Sequence, residues 1–317
     1  MGKRRMLRMG LSGSSLLLAI TLMSSIQIIK ADGEHRPKRD LFAPQESVLD
    51  MALSSYDDQY KGCSDMMEAE IAQLFQIEYS TNKEFAEAWD SATFKWEEKK
   101  PFAVVPQGFK DQYAIAILAY TINGPLHKVF NAAVREAGRS RQYYLNTFRF
   151  KVLHYYLTKA LQMLDAIEKP NCHRVFRGTR GIRFKSETKT PIRFGQFTSS
   201  SLNDQNALAF GEDTFFNIQT CYGVNIKNFS FFPGEEEVLI PPYEKFKVTN
   251  FARDKERTLI NLQSLEKASV YNCEYVKEKR CKSKLCLFNS ASSFRMNVFT
   301  PEIISLFLLP LQMYWIS

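Results

Sequence analysis

The sequence predicts an α+β protein in which a mainly helical half, residues 32–170, packs on a β-rich half, residues 171–276. Three observations carry this expectation. Apolar residues recur at three- and four-residue steps before residue 170, and short β-branched and aromatic stretches separated by Gly, Pro, Asn and Asp follow it. No G-x-G-x-x-G follows a strand, so a Rossmann site has no support. Helices followed by strands imply an antiparallel or mixed sheet, not a doubly wound parallel one. Between its two unusual ends the chain keeps roughly 260 residues, enough for one large domain, and no repeat or low-complexity linker divides them.

Taken in order, the elements support that plan. Lys3, Arg4, Arg5 and Arg8 precede an apolar run from Met9 to Ile29 and then Ala31, which reads as a secretory signal over residues 1–31. The strongly apolar part, Leu16 to Met23, is short for a membrane span. Thr81-Asn82-Lys83-Glu84 has capping-box spacing and opens a helix carrying Phe85, Ala88 and Trp89. Phe150, Leu153, Tyr156, Leu157, Ala160, Leu161 and Leu164 predict a long amphipathic helix. The character changes at Cys172, after which Arg174 to Phe176, Thr214 to Thr220, Glu237 to Ile240 and Phe246 to Asn250 read as strands. Near the end, the small residues Asn289 to Ser293, a polar spacer and an apolar tail from Ile303 to Ile316 read as a glycolipid-anchor signal. Ser290 is the expected lipid-bearing residue, with 291–317 removed.

Charge and cysteines narrow the function classes. The formal net charge of +8 falls to +3 without residues 1–31, which carry five basic and no acidic side chains, and 291–317, which carry one of each. That leaves little case for a nucleic-acid partner, which calls for a clustered basic face. The six cysteines lie between the two processed ends and allow fifteen pairings. No C-x-x-C occurs and the histidines are scattered, so structural disulfides are favoured over zinc and no metal is expected. Asn228-Phe229-Ser230 is the one glycosylation sequon, close to the acidic triplet at 235–237.

Three short motifs carry the chemistry. Arg177 ends a predicted strand, offering a fork of donors suited to phosphate, and Gly178 leaves the backbone open to close approach by a ligand. Phe197-Thr198-Ser199-Ser200-Ser201 can present hydroxyls at a strand end. Phe231-Phe232-Pro233-Gly234-Glu235-Glu236-Glu237 leads into Val238-Leu239-Ile240. If strand pairing extends back over the triplet, Glu235 and Glu237 share a face. Each motif alone is weak, since basic turns, serine-rich loops and acidic runs are common on surfaces. No G-x-S-x-G elbow supports a serine hydrolase.

Arg-Gly, then F-x-S-x-S, then E-x-E, in this order, resembles the arginine–serine–glutamate family of mono-ADP-ribosyltransferases, most of all the vertebrate glycolipid-anchored ecto-enzymes and their arginine-specific type 1 branch. The resemblance extends over SYDDQYKGC, AILAYT, FGEDTFFNIQTC, SFFPGEEEVLIPPYE and YNCEYVKEKRCKS, and so over nearly the whole chain. It implies a single catalytic domain over 32–290 with a two-sheet ADP-ribosyltransferase core. It implies NAD+ as co-substrate, NADP+ as a possible second dinucleotide, and arginine-bearing extracellular or membrane proteins as partners. It implies display at the cell surface on a glycolipid, with the endoplasmic or sarcoplasmic reticulum lumen as the alternative location.

Carried over by residue, the resemblance makes Arg177 the arginine that holds the NAD phosphates and Ser199 the serine that orients the catalytic glutamate. It makes Glu237 that glutamate and Glu235 the acceptor-selecting carboxylate, and Phe210 the ring that packs on nicotinamide. Tyr120, Gly178, Arg193 and Ser230 fall at positions associated with the dinucleotide. The pairings Cys63–Cys273 and Cys172–Cys221 are likewise implied, with Cys281 and Cys286 a further pair or free. Elementary chemistry agrees with the carboxylate roles. Cleaving the nicotinamide–ribose bond leaves a cationic sugar, as in glycoside hydrolysis, and a carboxylate on the ribose 2′-OH stabilises it. The acceptor guanidinium is almost always protonated, and a second carboxylate can orient it and favour proton loss. The alternatives are an NAD glycohydrolase that uses water and a catalytically silent surface glycoprotein.

Overall fold

A computed structural model describes residues 43–168, 172–254, 257–282, 286 and 288. The expected signal over 1–31, Ser290 and the tail 291–317 lie outside the described residues.

Strand β1 (Gln45–Val48) is followed by six helices, α1 (Ser64–Thr81), α2 (Lys83–Lys99), α3 (Asp111–Thr121), α4 (Leu126–Ala137), α5 (Arg141–Thr147) and α6 (Lys151–Asp165). In α3 every residue from Tyr113 to Tyr120 is buried, as its unbroken apolar run requires of a helix surrounded by others. It packs between α2 and α6. The cap of α2 is Asn82, not Thr81: Asn82 Oδ1 accepts from Phe85 N at 3.2 Å, while Thr81 is the last residue of α1. The expected helix over 150–164 is α6. It is buried almost all round, and its N-terminus has no local side-chain cap. Glu78 of α1 supplies one, its carboxylate accepting from Lys151 N at 2.7 Å and Val152 N at 3.0 Å.

The second half builds β2 (His173–Thr179), β3 (Ile182–Lys185), β4 (Pro191–Ile192), β5 (Thr198–Ser201), helix α7 (Asp204–Ala209), β6 (Thr214–Thr220), β7 (Val224–Asn225), β8 (Glu237–Ile240), β9 (Glu244–Arg253), β10 (Thr258–Lys267) and helix α8 (Glu274–Arg280). Eight strands form a mixed sheet in the order β4-β9-β10-β6-β2-β5-β8-β7, and β1 pairs with β3 in a separate two-stranded sheet. The β6–β10 pair is parallel; the other pairs of the large sheet are antiparallel. Between β2 and β5 only Phe176 and Ser201 are in register. The sheet therefore opens at that seam. Alternation along β8 gives both faces buried contacts: Leu239 joins the helical core, while Val238 and Ile240 join the core on the other side.

Disulfides join Cys63 to Cys273, Cys172 to Cys221, and Cys281 to Cys286. The first ties the start of α1 to the start of α8 across 210 residues of sequence.

Candidate active site

The open seam forms one wall of a cleft of about 850 Å³ between the sheet and helices α3 and α4. Arg177, on β2, crosses the seam, its Nη1 donating to the Ser199 carbonyl at 2.6 Å where the β2–β5 ladder is missing. Strand β2 runs past Arg177 to Thr179, so the arginine lies within the strand and does not end it. Burial lowers the affinity of its guanidinium for a proton, offset by the nearby Tyr120 and Glu237.

Glu237 is the first residue of β8 and only 6% exposed. It shares a face with Leu239, which packs in the helical core, so its carboxylate points toward the helices. Desolvation pushes that carboxyl up to about 7; neighbouring Glu235 pushes the same way, and a Ser199 hydrogen bond and Arg177 oppose it. Burial pushes the Tyr120 hydroxyl up to about 12, with Asn131, Ser199 and Arg177 opposing. Tyr120 donates to the Phe197 carbonyl at 3.0 Å.

Glu235 reaches the cleft by a different route from the expected one. Strand pairing does not extend over the triplet. Pro233–Glu235 form a 3-10 turn and Glu236 sits at φ 49°, ψ 48°, a left-handed conformation uncommon for a side-chain-bearing residue. That turn swings Glu236 out to an ion pair with Lys227 at 3.2 Å and leaves Glu235 and Glu237 both lining the cleft. The serines hold it: Ser201 Oγ donates to the Glu235 carbonyl at 2.7 Å and Ser200 Oγ to the Val238 carbonyl at 2.7 Å. Burial raises the Glu235 carboxyl pKa.

The remaining predicted residues divide. Tyr120, Gly178 and Phe210 line the cleft, and Phe210 is 56% exposed at its mouth. At Gly178 the space is filled by the protein itself: an added Cβ would lie 2.2 Å from the Gly211 carbonyl oxygen and 2.3 Å from that of Ala207. The glycine thus admits the end of α7, not primarily a ligand. Arg193 does not reach the cleft. It is 2% exposed, paired with Asp57, and donates to the Met51 carbonyl at 2.9 Å and the Ala268 carbonyl at 3.0 Å. Its role here is to tie the segment before α1 to the end of β10. Ser230 is fully buried outside the cleft lining, accepting from Phe232 N at 3.0 Å. Asn228 is exposed on the preceding turn, its carbonyl accepting from Lys99 Nζ at 3.4 Å.

His127, Asn131 and Arg135 also line the cleft and were not singled out from the sequence. Their spacing of four on α4 places them on one face beside the apolar Leu126, Phe130 and Val134. That polar stripe was the available signal.

A buried carboxylate beside Ser199, a second carboxylate next to it and an arginine across a seam make a cleft whose charges are of the kind that can stabilise developing positive charge and bind a cation. The NAD:arginine ADP-ribosyltransferase family model matches residues 49–270. The chain is 52% identical to the erythroblast NAD(P)(+)–arginine ADP-ribosyltransferase of Gallus gallus over 249 residues, covering 78% of this chain and 83% of that protein. It is 48% identical to the GPI-linked NAD(P)(+)–arginine ADP-ribosyltransferase 1 of Homo sapiens over 293 residues, 88% of each. Its fold matches the crystal structure of the eukaryotic mono-ADP-ribosyltransferase ART2.2 with a TM-score of 0.64 and 41% identity, covering 72% of this chain and 99% of that one. Variants of ART2.2 have been solved in complex with NADH and with NAD. This chain belongs to the NAD:arginine ADP-ribosyltransferase family, and its activity class is arginine mono-ADP-ribosylation.

Proposed function

We propose that the protein transfers a single ADP-ribose from NAD+ to arginine side chains of extracellular or membrane proteins, releasing nicotinamide, and that Glu237 and Glu235 divide the work. The observation that carries this reading is the pair of carboxylates in one cleft, one buried on Ser199 and one half-exposed toward the mouth.

Glu237 accepts from a hydroxyl of the nicotinamide ribose and stabilises the charge that develops as the bond to nicotinamide breaks. Ser199 holds that carboxylate in place and favours its ionised form. Arg177 meets the dinucleotide phosphates, Phe210 packs on the nicotinamide, and Tyr120 supports Ser199 from behind. Glu235 pairs with the incoming guanidinium and takes the proton it must lose as the new C–N bond forms. The residues fit NAD in kind: a guanidinium for phosphate, acceptors for ribose hydroxyls and an exposed ring at the mouth. NADP+ is a second donor on this reading, supported by relatives named for NAD(P)(+). Display on a glycolipid at the cell surface, with Ser290 bearing the lipid, is supported by the GPI-linked name of the human relative. The exposed Asn228 is suited to carry a glycan pointing away from the cleft.

The test incubates the secreted protein with labelled NAD+ and agmatine beside Glu237→Ala. An ADP-ribosyl agmatine adduct absent from the variant supports the transferase. Free ADP-ribose without the adduct supports the glycohydrolase, and folded protein that consumes no NAD+ supports a silent surface protein. Release from intact cells by a phosphatidylinositol-specific phospholipase tests the anchor.

A further inference from the structure

Behind Tyr120 the cleft wall contains one buried side-chain polar atom without a partner among the described residues. Asn131, on α4, is 7% exposed and lines the cleft. Its Nδ2 donates to the Tyr120 hydroxyl and to the Phe197 carbonyl, both at 3.0 Å. A carbonyl only accepts, so the group facing Phe197 must be the amide nitrogen, which fixes which end of the side chain is oxygen. That oxygen, Oδ1, is buried and makes no hydrogen bond among the described residues. A stranded acceptor of this kind costs about 1–3 kcal/mol, a cost removed when a donor reaches it.

Resting on NAD+ as the donor substrate, we propose that Asn131 Oδ1 accepts a hydrogen bond from the 3′-hydroxyl of the nicotinamide ribose, making Asn131 a positioning residue for the sugar. Two features select that group. Asn131 donates to the Tyr120 hydroxyl, and Tyr120, Ser199 and Glu237 line the same side of the cleft as Asn131, so the orphan oxygen and the carboxylate belong to one wall. Both are acceptors, and a vicinal diol presents two donors side by side; phosphate presents none.

The experiment compares NAD+, its analogue lacking the 3′-hydroxyl on the nicotinamide ribose, and an analogue with the carboxamide replaced by acetyl. Each is measured with the full chain and with Asn131→Ala. Dissociation constants come from calorimetry without an arginine acceptor, and kcat/KM from adduct formation. The wild type should favour NAD+ over the 3′-deoxy analogue by about tenfold, and the variant by no more than about twofold. Asn131→Ser carries the same comparison if the alanine variant does not fold. Undiminished discrimination in the variant would overturn the assignment, since a structural role weakens all donors alike. So would coupling to the carboxamide analogue in place of the deoxy sugar. A wild type that neither binds nor cleaves NAD+ would instead sink the donor reading itself.

Discussion

Glu237 concentrates the conflict between folding and activity in one side chain. Its carboxyl is buried against Ser199 and held near pH 7 mainly by desolvation. In the proposed role the group must be ionised to stabilise a cationic sugar, so kcat/KM for NAD+ should rise as pH increases through about 7 and level off above it. A flat profile between pH 5 and 9 would contradict that assignment. Glu237→Gln keeps the shape and removes the buried charge. It should lower transfer by roughly 10²–10³-fold while raising stability at pH 8 by roughly 1–3 kcal/mol, read from kinetics and denaturant unfolding of the same preparation. Glu235 should behave differently. Glu235→Ala is expected to lose arginine transfer but keep NAD+ hydrolysis, and retained agmatine adduct would refute the division of labour.

At the scale of elements, the turn before β8 decides whether two carboxylates can meet one substrate. Strand alternation would have aligned Glu235 with Glu237. The protein instead breaks the strand at Glu236, in left-handed backbone, and fastens the turn from the neighbouring strand. Ser201 Oγ donates to the Glu235 carbonyl and accepts from Asn203 N at 3.0 Å, and Asn206 Nδ2 reaches the Gly234 carbonyl at 3.0 Å. Ser201→Ala should therefore cost about 1 kcal/mol of stability and shift products severalfold from agmatine adduct toward free ADP-ribose. Both are measurable by chromatography and thermal unfolding. An unchanged product ratio would mean that the turn holds Glu235 without this serine.

Across the whole molecule, buried acids set how stability depends on pH. Burial raises Glu237 and Glu244 to about 7 and Asp58 to about 6, and it also raises Glu78. A carboxyl whose folded pKa lies above its unfolded value binds more protons when folded, so stability falls as pH rises from the unfolded value through the folded one. His154, lowered to about 3 by burial, opposes this below its ordinary value of 6.5. Burial also raises Asp57 and Glu235 and lowers His127, so six raised acids against two lowered histidines should leave the apo protein more stable near pH 5.5 than near pH 7.5, as thermal unfolding across pH would report. The Cys63–Cys273 bond closes most of the catalytic domain into a loop, and replacing both cysteines by serine should cost roughly 2–5 kcal/mol.

The sequence alone determined the class of fold and the identity of the central chemistry. Helical periodicity to residue 170 and short β-branched stretches beyond it are local patterns, and the elements follow them. That Arg177, Ser199, Glu235 and Glu237 would meet in one cleft was legible because their motifs are contiguous and keep a recognisable order. What only the tertiary structure decided depends on segments distant in sequence. Arg193 looks like a ligand-binding arginine beside a strand, yet Asp57, 136 residues away, claims its guanidinium in the interior. Glu78 caps a helix 73 residues downstream, which no local capping rule contains. Asn131 lines the cleft because α4 turns its polar face toward it, across from the open seam between β2 and β5. Backbone propensity acts over a few residues, whereas burial and hydrogen-bond completion act between whichever groups the fold brings together.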